Sequence, residues 1–257
     1  TARRVGLAAV PHPRLRAQVD AIAWIKAHTD LLPMGMAIGP FSLLTKLLAD
    51  PITPVYLLGS GVQAQDDPEV ATLLRLKELA FEAVSRTLDL QADAGARAVV
   101  ICEPAANQAY FSPIQLESGS GIFDELVVVP VRRLRDQLAQ RGIELILHDC
   151  GEMTDAMLRR LARIEPAVLS LGSSRRLWED ARNVPRDIVL WGNLPSKRFY
   201  APELSVDDVR HRAVDLRRRM AEVERPFILS SECDVLPVEG RTKDIEAKVM
   251  AMIEAAG

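Results

Sequence analysis

His148, Asp149 and Cys150 stand in a row, and Cys233 stands alone far downstream. The triplet follows an apolar run, Ile143 to Leu147, and Cys233 follows another, Pro226 to Leu229; both runs read as buried strands. If the two strands belong to one parallel barrel, an imidazole and two thiols project from the same rim. Such a nitrogen-and-sulfur set suits zinc, because thiolate and imidazole favour it over magnesium or calcium. Three ligands leave a fourth position open, the mark of a catalytic rather than a structural ion. Strand alternation supports the geometry, since His148 and Cys150 are two apart and share a side while Asp149 points away. The competing interpretation is plain: a free cysteine is commonly a small buried hydrophobe, and a strand-end histidine is often structural.

The elements that must position these residues alternate along the chain. Met34 to Ile38 reads as a strand and Phe41 to Leu48 as a helix beginning beside Gly39-Pro40. Gly59-Ser60-Gly61 and Asp66-Asp67-Pro68 mark a loop, and a long helix covers Glu69 to Ala94 with Gly95 as its stop. Ala98 to Cys102 is the second strand. Pro130 to Gln140 is a helix, Ile143 to Leu147 a strand, and Thr154 begins a helix through Ile164. Val168 to Leu171 and Ile188 to Trp191 are further strands, with Gly192-Asn193-Leu194-Pro195 as a loop. Ser205 caps a helix through Val223, Pro226 to Ser230 is the last strand, and Thr242 to Ala255 closes the chain. Continuous apolar strands alternating with helices predict a parallel sheet covered by helices, in one domain spanning 1–257. Six strands are countable, whereas a closed (β/α)8 barrel needs two more. The expectation is therefore a TIM-type barrel without its N-terminal strands, or an open sheet.

With 257 residues, 48% of them hydrophobic, the chain can bury a large core and is not disordered. A net charge of -3 gives no basic stripe for nucleic acid, and the arginine clusters lie on helices with acidic neighbours. No apolar run reaches the roughly twenty residues of a membrane span. Three cysteines, an odd number, argue against a disulfide framework and fit a reducing compartment, so a cytoplasmic location is expected. Gly59-Ser60-Gly61 lacks the lysine and helix context of a phosphate loop.

Four segments, Gly39-Pro40-Phe41-Ser42, Leu147 to Gly151, Gly192-Asn193-Leu194 and Ile228 to Asp234 with Pro237, together with Glu103-Pro104 and Ser112-Pro113, carry a resemblance. The sequence resembles the uroporphyrinogen decarboxylase superfamily, and within it the zinc-dependent branch containing methylcobamide:coenzyme M methyltransferases and related corrinoid methyltransferases. That resemblance implies a TIM barrel with its site at the C-terminal strand ends, and zinc held by His148, Cys150 and Cys233. It also implies methyl transfer between methylcobamide (a cobalamin-type corrinoid), carried by a corrinoid protein partner, and a small-molecule thiol or tetrahydrofolate-type acceptor. Related proteins are often homodimers. The superfamily's name supplies the alternative, a cofactor-independent tetrapyrrole decarboxylase. The arginine-rich segment and catalytic aspartate of such enzymes are not identifiable in this sequence. A third alternative is a non-enzymatic corrinoid-binding protein with a vestigial metal site.

Glu103 is the candidate catalytic carboxylate, a fourth ligand displaceable by substrate, with Glu152 and Glu232 as lesser options. Cys102, one residue earlier, should then face the other way, into the core. Asn193 and Tyr110 are candidates for holding cofactor or substrate at the barrel mouth, although asparagine after glycine is also an ordinary turn residue. Asp149 could orient a ligand or bond to loop backbone. His12, His28 and His211 read as surface residues.

Overall fold

The computed structural model describes residues 12–255. Helix α1 (Pro13–His28) leads into β1 (Met34–Ile38), followed by α2 (Pro40–Leu47), α3 (Ile52–Gly59) and the long α4 (Pro68–Asp93). Next come β2 (Ala98–Cys102), α5 (Pro113–Glu117), a π-helical turn at Asp124–Val128, α6 (Val129–Ala139) and β3 (Glu144–Asp149). The chain continues through α7 (Asp155–Ala162), β4 (Val168–Leu171), α8 (Leu177–Asp180) and β5 (Val189–Leu194). A single 3-10 turn at Ser196–Arg198, α9 (Val206–Glu222), β6 (Phe227–Ser231) and α10 (Thr242–Glu254) complete it.

All six strands are parallel and lie in chain order, β1 to β6. The sheet is open: β1 and β6 are its edges, so the barrel is not closed among the described residues. Register explains the two faces. Ile101, Leu147, Leu169 and Leu190 pair across β2 to β5 and are fully buried in the main core, against the helices. The alternate row, Cys102, His148, Ser170, Trp191 and Ile228, faces the concave side. At the sheet edges that side is uncovered, with Met36 54% and Ile228 45% exposed. No helix among the described residues is long and apolar enough to cross a membrane.

Two local differences from the sequence reading have physical causes. Strand β5 runs on through Gly192-Asn193-Leu194, because β6 pairs with all three residues and extends the ladder past the point where glycine and asparagine suggest a loop. Helix α3 has no counterpart in that reading. Its Pro54 sits in the first turn, where a missing N–H breaks no helical bond, so the proline does not interrupt it.

Candidate metal centre

The three predicted ligands come from the ends of two strands. His148 lies near the end of β3, Cys150 just past it, and Cys233 just past β6. Their ligating atoms lie within 4.8 Å of one another, and all three side chains are half-buried. The two Sγ atoms are 3.7 Å apart, far longer than a disulfide, and both thiols are free. Two thiolates on one tetrahedral zinc, each at about 2.3 Å, would stand roughly 3.8 Å apart. The sulfur pair therefore fits the ion by spacing as well as by chemistry.

The histidine is oriented from the neighbouring strand. Its Nδ1 lies 2.9 Å from Ser170 Oγ, and Ser170 is the residue on β4 that pairs with His148 in the ladder. With Nδ1–H donated to that hydroxyl, the Nε2 lone pair is free for a metal. Burial, then Lys197, pushes the imidazole pKa down, which favours the neutral ligating form. Burial and the neighbouring Cys233 push the Cys150 thiol up to about 11, with Lys197 opposing them. Metal binding must therefore displace protons from this site.

The loops are fitted closely. A Cβ on Gly172 would lie 2.8 Å from the Cys150 carbonyl, so glycine lets the loop after β4 approach the Cys150 backbone. Ser196 Oγ lies 2.9 Å from the Cys233 carbonyl and 3.1 Å from that of Asp234, and it also accepts the Cys233 N–H at 3.4 Å. Glu232, one of the lesser ligand options, accepts the Ser173 N–H at 3.0 Å and ties the β6 loop to the β4 loop. Glu152 contributes its carbonyl to the Gln108 N–H and is not in the cluster.

Glu103 and Cys102 have exchanged the places expected for them. Cys102 pairs with His148 in the ladder and so lies on the ligand side; burial, then Cys233 and Cys150, pushes its thiol up to about 12. Glu103 is not in the cluster. It is fully buried, and its Oε1 and Oε2 accept the N–H groups of Phe41 (3.0 Å) and Ser42 (2.8 Å) at the start of α2. This contact explains Gly39-Pro40-Phe41-Ser42. A Cβ on Gly39 would sit 2.1 Å from the Glu103 carboxyl carbon, and Pro40 has no N–H to satisfy. Alternation is right about the two residues facing opposite ways; the ladder register decides which of them faces the cluster.

Asn193 is buried, and its Nδ2 donates to the carbonyls of Gly172 and Arg175, both at 2.8 Å. Its amide thus braces the β4 loop. Asn193 also lines a cleft of about 490 Å³ with Ser173, Trp178, Arg198 and Arg212, a cleft to which none of the three ligands contributes. Tyr110 packs edge-on against Phe41, with ring centroids 5.9 Å apart. Asp149 bonds to loop backbone, its Oδ1 accepting the Gly151 N–H at 2.8 Å, while its buried Oδ2 has no partner among the described residues. His12, His28 and His211 are exposed.

The sequence reading missed Lys197, whose Nζ donates to Cys150 Sγ at 3.3 Å from the turn after β5. It missed Ser170 as well. Neither residue carries a local signal; only the strand register and the fold of the β5 turn bring them to the cluster.

A parallel β/α sheet of the TIM-barrel type, carrying one imidazole and two thiols at the C-terminal ends of its strands, defines the structural class. Within that class the chain belongs to the uroporphyrinogen decarboxylase (URO-D) family, whose model matches residues 3–256. Among solved structures, a methyltransferase from Methanosarcina mazei is similar over 98% of this chain and 69% of its own, at 18% identity and a TM-score of 0.69. A B12-independent methionine synthase from Shewanella sp. W3-18-1, in complex with selenomethionine, is similar over 93% of this chain and 65% of its own, at 13% identity and a TM-score of 0.57. These likenesses show the shared fold, and the chain spans only about two thirds of each protein's length. No curated protein matches by sequence.

Proposed function

We propose that this protein is a zinc-dependent methyltransferase that moves a methyl group between a corrinoid, carried by a partner protein, and a thiol or tetrahydrofolate-type acceptor. The observation that carries the reading is the convergence of His148, Cys150 and Cys233, with sulfurs 3.7 Å apart, at the strand ends of a URO-D family sheet. When bound, zinc would supply the positive charge that keeps an acceptor thiol deprotonated near neutral pH.

The chain's own residues do the rest. Ser170 holds the imidazole with Nε2 free, Ser196 fixes the backbone of Cys233, and Gly172 lets the Cys150 loop close in. With a thiol acceptor, its sulfur would bond to the methyl carbon as the cobalt–carbon bond breaks, the electron pair of that bond staying on cobalt. Two proteins of the same fold are a methyltransferase and a B12-independent methionine synthase, in keeping with a methyl-transfer enzyme. The decarboxylase alternative calls for cationic side chains turned toward a polycarboxylate, whereas the cation placed against this cluster, Lys197, donates to a sulfur.

Metal analysis and a donor assay test the proposal together. The purified protein should hold about one zinc per chain, and it should consume methylcobalamin only when a thiol or tetrahydrofolate is supplied. A folded protein that takes up no zinc would overturn the reading.

A further inference from the structure

The two sulfurs of the cluster are not equivalent. Cys150 Sγ accepts a hydrogen bond from the Lys197 ammonium at 3.3 Å, the only hydrogen bond that ammonium makes among the described residues. Cys233 Sγ has no hydrogen bond from a cation among the described residues; its one hydrogen-bond partner there is the other sulfur, at 3.7 Å. Lys197 is not a loose surface chain swung in by chance. It is half-buried on the Ser196–Arg198 turn, between Ser196, which is bonded to the backbone of Cys233, and the fully buried Phe199. The turn that fixes Cys233 therefore also aims the ammonium at Cys150.

Resting on the methyl-transfer reading, this asymmetry answers a chemical problem that such a site creates. Thiolates that ligate a metal remain nucleophiles, and a methyl donor brought to the site meets the protein's own cysteines as well as the acceptor. A charge-assisted hydrogen bond stabilises a thiolate more than it stabilises the transition state in which that sulfur gives up its negative charge, so it slows the attack. We infer that Lys197 is a specificity-determining residue that shields Cys150 from self-methylation and leaves the methyl group for the acceptor.

The test uses the zinc-loaded full chain and methyl iodide as a probe, with S-methylation mapped to individual cysteines by peptide mass spectrometry. In the probe reaction the cysteine sulfur bonds to the methyl carbon, and the carbon–iodine bond breaks with iodide leaving on its electron pair. Lys197→Met removes the donor while keeping an unbranched side chain. It should speed Cys150 methylation about tenfold, change the Cys233 rate by less and retain zinc. Lys197→Arg, which keeps a cationic donor, should restore protection. Equal Cys150 rates in wild type and Lys197→Met, with zinc retained in both, would overturn the inference while leaving the proposed function standing. Loss of zinc from Lys197→Met would also overturn it, because the lysine would then be holding the site together. Failure of the wild type to bind zinc would overturn both.

Discussion

The two faces of the sheet at the C-terminal ends of β2 and β3 carry opposite chemistries one residue apart. On the concave side stand Cys102, His148 and, past the strand end, Cys150, joined there by Cys233. In the alternate positions stand Glu103 and Asp149, both fully buried and both bonded to backbone N–H groups. The carboxylates hold the architecture by accepting backbone N–H groups of a helix start and a loop, while the soft donors on the other side converge on one another, their protein hydrogen bonds being those of His148 to Ser170 and of Cys150 to Lys197 and Cys233. Donors whose lone pairs converge on a common point are available for a ligand, whereas the carboxylates point away from that point and into the backbone. Exchanging residues between the faces should therefore separate metal binding from stability.

The largest expected effect is on the ligand side. Cys150→Ala or Cys233→Ala should lower zinc affinity by more than the roughly 100-fold that changes around a ligand shell cost. The fold should survive, because both side chains are half-buried and neither belongs to the main core. Zinc titration against a chelator, with circular dichroism alongside, checks both halves. A Cys233→Ala protein that still held zinc at wild-type affinity would break the distinction between the faces.

On the carboxylate side the expected effect is on stability. Glu103→Ala leaves the Phe41 and Ser42 N–H groups buried without acceptors, at a cost of roughly 2–4 kcal/mol. Gly39→Ala should act in the same direction, since its Cβ would press on the same carboxyl. Denaturant unfolding should show both losses, with zinc stoichiometry unchanged.

Glu103 also gives that side a pH signature. Burial raises its carboxyl to about 7 against the opposing bonds from Ser42 and Phe41, and buried Asp149 is its acidic neighbour. The folded state thus binds more protons than the unfolded chain between the ordinary carboxyl value and about 7. The stabilisation is complete below the ordinary value and is lost as pH rises through about 7, by up to roughly 3 kcal/mol. In Glu103→Gln that slope should shrink relative to wild type, leaving the part that buried Asp149 contributes; a variant with the same slope would assign it wholly to other groups.

How much of this the sequence disclosed depended on whether a feature is local. Strands β1 and β2 have the boundaries that their apolar runs predict, and the His148, Cys150 and Cys233 positions stand at strand ends as read. Strand parity correctly put Cys102 and Glu103 on opposite sides, but parity alone is blind to which side faces the cluster; pairing with His148 decides that. Lys197 reaches Cys150 across 47 positions of chain, through a turn whose path follows from the β5–β6 ladder and Ser196, so nothing near Lys197 in the sequence announces it.

Ser170 offers the smallest and most discriminating change. It is buried on β4, bonds to no ligand other than His148 through its hydroxyl, and lies on the ligand side of the register without itself being a donor to metal. Ser170→Ala removes one oxygen and leaves the fold's packing almost untouched, so stability should barely change. The imidazole, however, loses the partner that fixes its tautomer and ring plane, and zinc affinity should fall about tenfold. Ser170→Thr, which keeps the hydroxyl, should recover most of that affinity. If Ser170→Ala binds zinc as tightly as the wild type, the imidazole is oriented by packing alone, and the ligand side is defined by its three donors without help from the adjacent strand.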